Sequence, residues 1–124
     1  MSTIQIADQT FVAAPAAAVA AYVADRSRWA RWWPDLVLSV REDRGPAGIR
    51  WSVGGALDGT MEVWLEPILD GVIFHYFVHA EPAAPLADPV ADVRRRRIAG
   101  KRVSFGAKRI LEDGRAAGEP AAVG

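Results

Sequence analysis

The chain has 124 residues, no cysteine, and basic and acidic side chains in equal number, fifteen of each. That length suits one domain burying roughly two thirds of its unfolded surface, and the lack of cysteine excludes disulfides, a thiolate nucleophile and cysteine-based metal sites, as expected in a reducing, cytoplasmic setting. The most apolar run, Val72 to Val78, is seven residues long and contains His75, far short of the roughly 20 residues of a membrane span, and Met1 to Gln9 carries no secretion signal.

In chain order, Thr3 to Val12 begins with Ile4 and Ile6 alternating against Gln5 and Ala7, which predicts a first strand. Pro15 suits the first turn of a helix, and the Ala-rich run to Asp25 spaces Val19, Tyr22 and Val23 along one face. Ser27 is the expected cap of a second short helix that Pro34 ends. Within it Trp29, Trp32 and Trp33 stand at i, i+3 and i+4 and share a face. They fit packing against the sheet edge or, alternatively, a platform for a ligand or partner.

From Leu36 the period becomes two. Leu36, Leu38 and Val40 share one face, Ile49, Trp51 and Val53 another, and Asp43 to Gly48 forms the turn of a predicted hairpin. Gly54 to Gly59 lacks the lysine and spacing of a phosphate loop and is expected to be a turn or bulge between strands. Thr60 to Glu66 alternates again, Leu69 to Gly71 turns, and Val72 to His79 follows as a strand with Val72, Phe74, Tyr76 and Val78 toward the core. Its other face holds Ile73, His75, Phe77 and His79, apolar enough for a partner contact or a cross-strand cluster.

Glu81 to Pro89 is rich in proline and alanine and is expected to link or cover. From Pro89 a long helix is predicted, with an apolar seam through Val93, Gly100, Val103, Ala107, Ile110 and Leu111 and a basic side carrying Arg94, Arg95, Arg97, Lys101, Arg102, Lys108 and Arg109. Residues 88–115 hold nine Arg or Lys against four acids, which favours docking of this basic helix onto a mildly acidic body. Gly100 on the seam allows close approach to the sheet, whereas Gly106 has no such role and predicts a kink or break. The domain is expected to occupy residues 1–113, with 114–124 fraying.

These elements predict an α+β domain: a curved antiparallel sheet of about five strands, two short helices, and a long C-terminal helix closing the concave side. The Thr10 to Tyr22 passage with its APAAAV run, the WARWWPD segment Trp29 to Asp35, the strand Gly59 to Pro67 followed by Asp70-Gly71, and the closing basic helix together span most of the chain. In these stretches it resembles the START-like (SRPBCC) helix-grip superfamily, which includes polyketide cyclases and dehydrases, and is similar to actinobacterial proteins named after them. The resemblance implies a fold with a cavity between sheet and last helix. Its usual two extra strands between the equivalents of Val53 and Gly59 are missing, so a shortened variant is expected. None of the shared stretches is a catalytic signature.

The residues themselves point away from metal chemistry. His75 and His79, four apart on one strand, stand about 13 Å apart, and no HExxH occurs. His75 suits acid/base work near neutral pH and Tyr76 suits polarising a carbonyl, but neighbouring strand residues face opposite ways. Glu62 and Glu66 are also about 13 Å apart, too wide for either glycosidase geometry. Arg96 falls among the seam residues: it snorkels outward, or it reaches the cavity mouth beside Tyr76 and meets an anionic or carbonyl-bearing ligand. Ile98 and Phe105 lie on the basic side and suit contact with a protein or an anionic membrane surface.

Nucleic acid is disfavoured by the balanced overall charge. The leading expectation is binding of a small hydrophobic ligand between sheet and C-terminal helix, by Trp51, Met61, Phe74, Tyr76, Arg96 and Val103, without catalytic residues, metal or cofactor. Two alternatives stand beside it: cyclase or dehydratase chemistry in the same cavity, and a protein-interaction module or homodimer using the exposed apolar surface.

Overall fold

The structure is a computed structural model and describes residues 3–112; the expected fraying of 114–124 lies outside them. Strand β1 (Ile4–Val12) leads into helices α1 (Ala16–Ala24) and α2 (Arg26–Trp32). Strands β2 (Leu36–Asp43), β3 (Gly48–Gly55), β4 (Leu57–Ile68) and β5 (Gly71–Pro82) follow, and helix α3 (Pro89–Leu111) ends the described chain. The five strands form one antiparallel sheet in the order β1-β5-β4-β3-β2, so the first strand pairs with the last. This is the predicted α+β architecture. No described helix is long and apolar enough to cross a membrane.

Register explains which side chains meet. Trp51 opposes Met61 across β3 and β4, and Val63 opposes Tyr76 across β4 and β5, so period-two alternation delivers all of them to one face. Val72, Phe74, Tyr76 and Val78 are buried as expected. The β2–β3 turn contains a short 3-10 segment (Gly45–Ala47), and β2 bulges between Val40 and Glu42. On the opposite face His75 is buried too, stacked 4.3 Å from Trp64 and 5.9 Å from Phe77, with its Nε2 3.0 Å from Glu66 Oε1. A cross-strand cluster, one of the two expected roles for that face, forms there.

Local expectations need correcting at several points. The cap of α2 is Asp25, whose carboxylate accepts the Ser27 N–H at 3.1 Å; Ser27 is already inside the helix. Helix α3 runs through Gly106 without a break. Gly106 is buried against α1, where a Cβ would stand 2.5 Å from Tyr22 Oη, so the glycine admits the Tyr22 hydroxyl. Ile110 lies off the seam and is exposed. The basic side is not uniformly free either. Lys101 pairs with Asp8 at 3.0 Å and Lys108 donates to the Phe11 carbonyl at 2.8 Å, clamping α3 to β1.

Candidate functional site: an arginine-lined groove beside a filled interior

The six residues expected to bind a ligand divide into two groups. Trp51, Met61, Phe74, Tyr76 and Val103 are each at most 2% exposed and belong to the core. Trp51 meets Trp29 edge-on at 5.5 Å and Trp33 at 5.3 Å, and Trp33 stacks parallel to Tyr76 at 6.4 Å. The Tyr76 hydroxyl accepts from Trp33 Nε1 at 3.2 Å and donates to Met61 Sδ at 3.2 Å. Burial holds that hydroxyl well above its ordinary pKa, outweighing the smaller opposing effects of Trp33 and Arg96. Phe74 and Val103 are buried further along β5 and α3. Above Tyr76, the backbone of α3 at Gly100 rests directly on the ring, and a Cβ there would overlap it.

Arg96 is the exception, because it reaches a cavity. Its side chain is only 7% exposed and forms a bidentate pair with Asp35, at 2.7 and 2.6 Å. It does not snorkel outward; it reaches a cavity, where the carboxylate it meets is supplied by the chain itself. The hydrogen bonds from Arg96 hold the Asp35 carboxyl below its ordinary value near 3.8. On its other side Arg96 Nε stands 3.9 Å from Asp92 Oδ2, and Asp92 in turn bonds Arg95. A chain of alternating charges therefore fixes the corner between α2 and β2 to the first half of α3.

Beside this chain lies an open groove of about 790 Å³. One wall is the end of α2 and the corner after it, with Arg31, Trp32, Pro34 and Asp35; the other is α3, with Ala91, Arg94, Arg95, Arg96, Ile98, Ala99 and Arg102. Val90 and Asp88 stand at its end. Arg31, Arg94 and Arg102 have no carboxylate partner among the described residues. Tyr22 stands behind, 5.3 Å from Trp32 and with the Arg28 guanidinium 4.4 Å over its ring, so the aromatic wall is backed by packing. Free guanidinium groups above an aromatic and proline surface suit a ligand with an anionic end and an apolar body.

Sequence reasoning found Arg96 and the tryptophan segment but missed Asp35, Arg31 and Arg102 as groove residues. A usable signal existed for the charge chain: Asp92 stands four before Arg96, and Asp35 closes the WARWWPD segment.

No protein-family model and no curated protein matches the sequence. Solved structures do. The Aha1 dimer from Colwellia psychrerythraea aligns at a TM-score of 0.64 and 12% identity, over 91% of this chain and 99% of that one. Protein CV1439 from Chromobacterium violaceum aligns at 0.62 and 14%, over 87% and 97%. A START superfamily protein from Mycobacterium smegmatis aligns at 0.53 and 14%, over 88% and 97%. At such identities the likeness is one of fold alone.

Proposed function

We propose that this chain is a shortened helix-grip domain, akin to the polyketide cyclase and dehydrase-like members, that binds a small amphipathic molecule with an anionic end and performs no chemistry on it. The observation that carries this reading is the groove of about 790 Å³ between the α2–β2 corner and α3, where three arginines without a carboxylate partner among the described residues stand beside Trp32 and Pro34. Binding without reaction is favoured because the two groups suited to acid/base work do not converge on one space. The Tyr76 hydroxyl is buried and engaged on both sides, and His75 lies on the far face of the sheet against Glu66.

Anilinonaphthalene sulfonate, an anionic aromatic probe, tests this reading against the neutral phenylnaphthylamine. Saturable binding of the anionic probe at one site is expected. It weakens at least about tenfold when Arg31 and Arg102 are both replaced by alanine, and is unchanged by Arg50→Ala on the other face of the sheet. Near-ultraviolet circular dichroism, identical in all variants, keeps loosened packing from passing for binding. The hydrophobic-cavity version, with Trp51, Met61, Phe74, Tyr76 and Val103 around the ligand, requires α3 to part from the sheet at Gly100. It predicts the reverse preference, for the neutral probe, with no dependence on the arginines; that outcome sinks the groove assignment.

A further inference from the structure

The outward face of α3 borders the groove and shares Val90, Arg94, Ile98 and Arg102 with it, but extends beyond it through Arg97, Phe105 and Arg109. Val90, Ile98 and Phe105 are 80%, 45% and 54% exposed, and they line up along a helix of 23 residues, about 35 Å long. Arg94, Arg97, Arg102 and Arg109 interleave with and flank this line, and none has a carboxylate partner among the described residues. Beside Val90 and Ile98 a shallow trough of about 810 Å³ is floored by Pro89 and Val93 and edged by Arg97 and Lys101.

We propose that this face docks the protein onto an anionic phospholipid bilayer. An apolar line with cations on both sides is the pattern of a helix lying in the plane of a membrane interface. Its apolar side chains enter the boundary between headgroups and acyl chains, and arginine stems extend sideways so that the guanidinium groups reach phosphates. The nearby acids do not cancel the attraction, since Asp92 is bonded to Arg95 and Glu112 to Lys108. An acidic protein would meet the same charges. The bilayer is favoured because Val90, Ile98 and Phe105 share one side of the helix over its length, with Arg94 and Lys101 among them and Arg97, Arg102 and Arg109 to either side, so apolar and cationic groups meet a flat anionic surface together.

Sedimentation of the full chain with lipid vesicles tests the proposal. Vesicles with about 30% phosphatidylglycerol in phosphatidylcholine should carry the protein down, and pure phosphatidylcholine should not, with loss of binding at about 0.5 M salt. Replacing Arg97 and Arg109 together by glutamate should reduce partition at least about tenfold, and Phe105→Ser should reduce it severalfold. These three residues do not line the groove, so binding of anilinonaphthalene sulfonate should persist in the same variants; the two readings can then fail separately. Equal partition onto neutral and anionic vesicles, or none onto either, overturns the proposal. So does a concentration-dependent dimer in light scattering that Phe105→Ser abolishes, which would assign the face to a second copy of the chain.

Discussion

The two faces of α3 use the same helix for opposite ends. Toward the sheet, Arg96, Gly100, Val103 and Ala107 are all buried, the backbone touches an aromatic ring at Gly100, and the Arg96 guanidinium is matched by a bidentate carboxylate. Toward solvent, Val90, Ile98 and Phe105 are exposed among Arg94, Arg97, Arg102 and Arg109, which have no carboxylate partner among the described residues. The difference teaches where tolerance should lie. The inner face is constrained by volume and by charge pairing, whereas the outer face has neither constraint and is available for contacts with other molecules.

The largest effect is expected at Gly100. Alanine there must displace either the helix or the Tyr76 ring, which is held between Trp33 and Met61, and the ring has no flexible end to move. Gly100→Ala should therefore cost about 3 kcal/mol even though alanine favours helix by about 1 kcal/mol. Urea unfolding measures this directly. A loss below about 0.5 kcal/mol would mean that α3 does not rest on the sheet. Gly106→Ala should be much milder, within about 1 kcal/mol, because its obstacle is the far end of the Tyr22 side chain, which can swing.

Next comes the charge that the inner face buries. Asp35→Ala leaves the Arg96 guanidinium with only Asp92 at 3.9 Å, and should cost about 2 kcal/mol. The figure is reduced from that of a fully buried pair because the Asp35 side chain is 41% exposed and water screens it. Replacing Arg96 by methionine together with Asp35→Ala should recover part of the loss, since a volume-matched apolar side chain leaves no unpaired charge. If the double variant is worse than Asp35→Ala alone, the packing of Arg96, not its pairing, is what matters.

The same pair sets a pH dependence. Arg96 depresses the folded-state pKa of Asp35 below its unfolded value near 3.8. The unfolded chain therefore binds the proton first on acidification. The pair's contribution is fully present above that value and is lost as pH falls through the folded pKa. Denaturant melts between pH 6 and pH 3, as an order-of-magnitude window around about 3.9, should show Asp35→Asn losing less stability than the native chain over that interval. Equal loss in both would assign the acid sensitivity to other carboxylates, among which Asp25, Glu42 and Glu81 are also depressed.

Most of the fold was legible because strand faces are written in period two and the seam of α3 in period 3.6. Val72, Phe74, Tyr76 and Val78 were assigned inward from alternation alone, and Gly100 from its place on the seam. What the sequence could not carry were pairings between distant segments. The wheel placed Arg96 where burial would be costly, but not the Asp35 carboxylate that relieves the cost. Gly106 looked unexplained because its partner, Tyr22, belongs to α1. The groove has the same origin: no local pattern encodes a concavity made where the end of α2 meets the side of α3. The five aromatic and aliphatic residues expected around a ligand, Val103 on α3 and the other four on the sheet, are all buried in the interior between the two. Their volumes, with α3 seated on Tyr76, occupy that space in this conformation.

The smallest effect belongs to the outer face and is the sharpest check on the contrast. Phe105 is 54% exposed, and among the described residues its ring meets the Lys101 ammonium, 5.6 Å from the ring centroid. That ammonium is already held by Asp8 at 3.0 Å, by the Gln9 carbonyl at 3.0 Å and by the Thr10 hydroxyl at 2.8 Å, so losing the ring leaves it satisfied. Phe105→Ser should change unfolding free energy by no more than about 0.5 kcal/mol. A cost above about 1 kcal/mol would show that this ring holds the fold together, and the division of α3 into a constrained inner face and a free outer one would fail at its centre. A near-zero cost, set beside the loss at Gly100 on the same helix, means that Phe105 is exposed without benefit to stability, which leaves the ring free for the external contact proposed above.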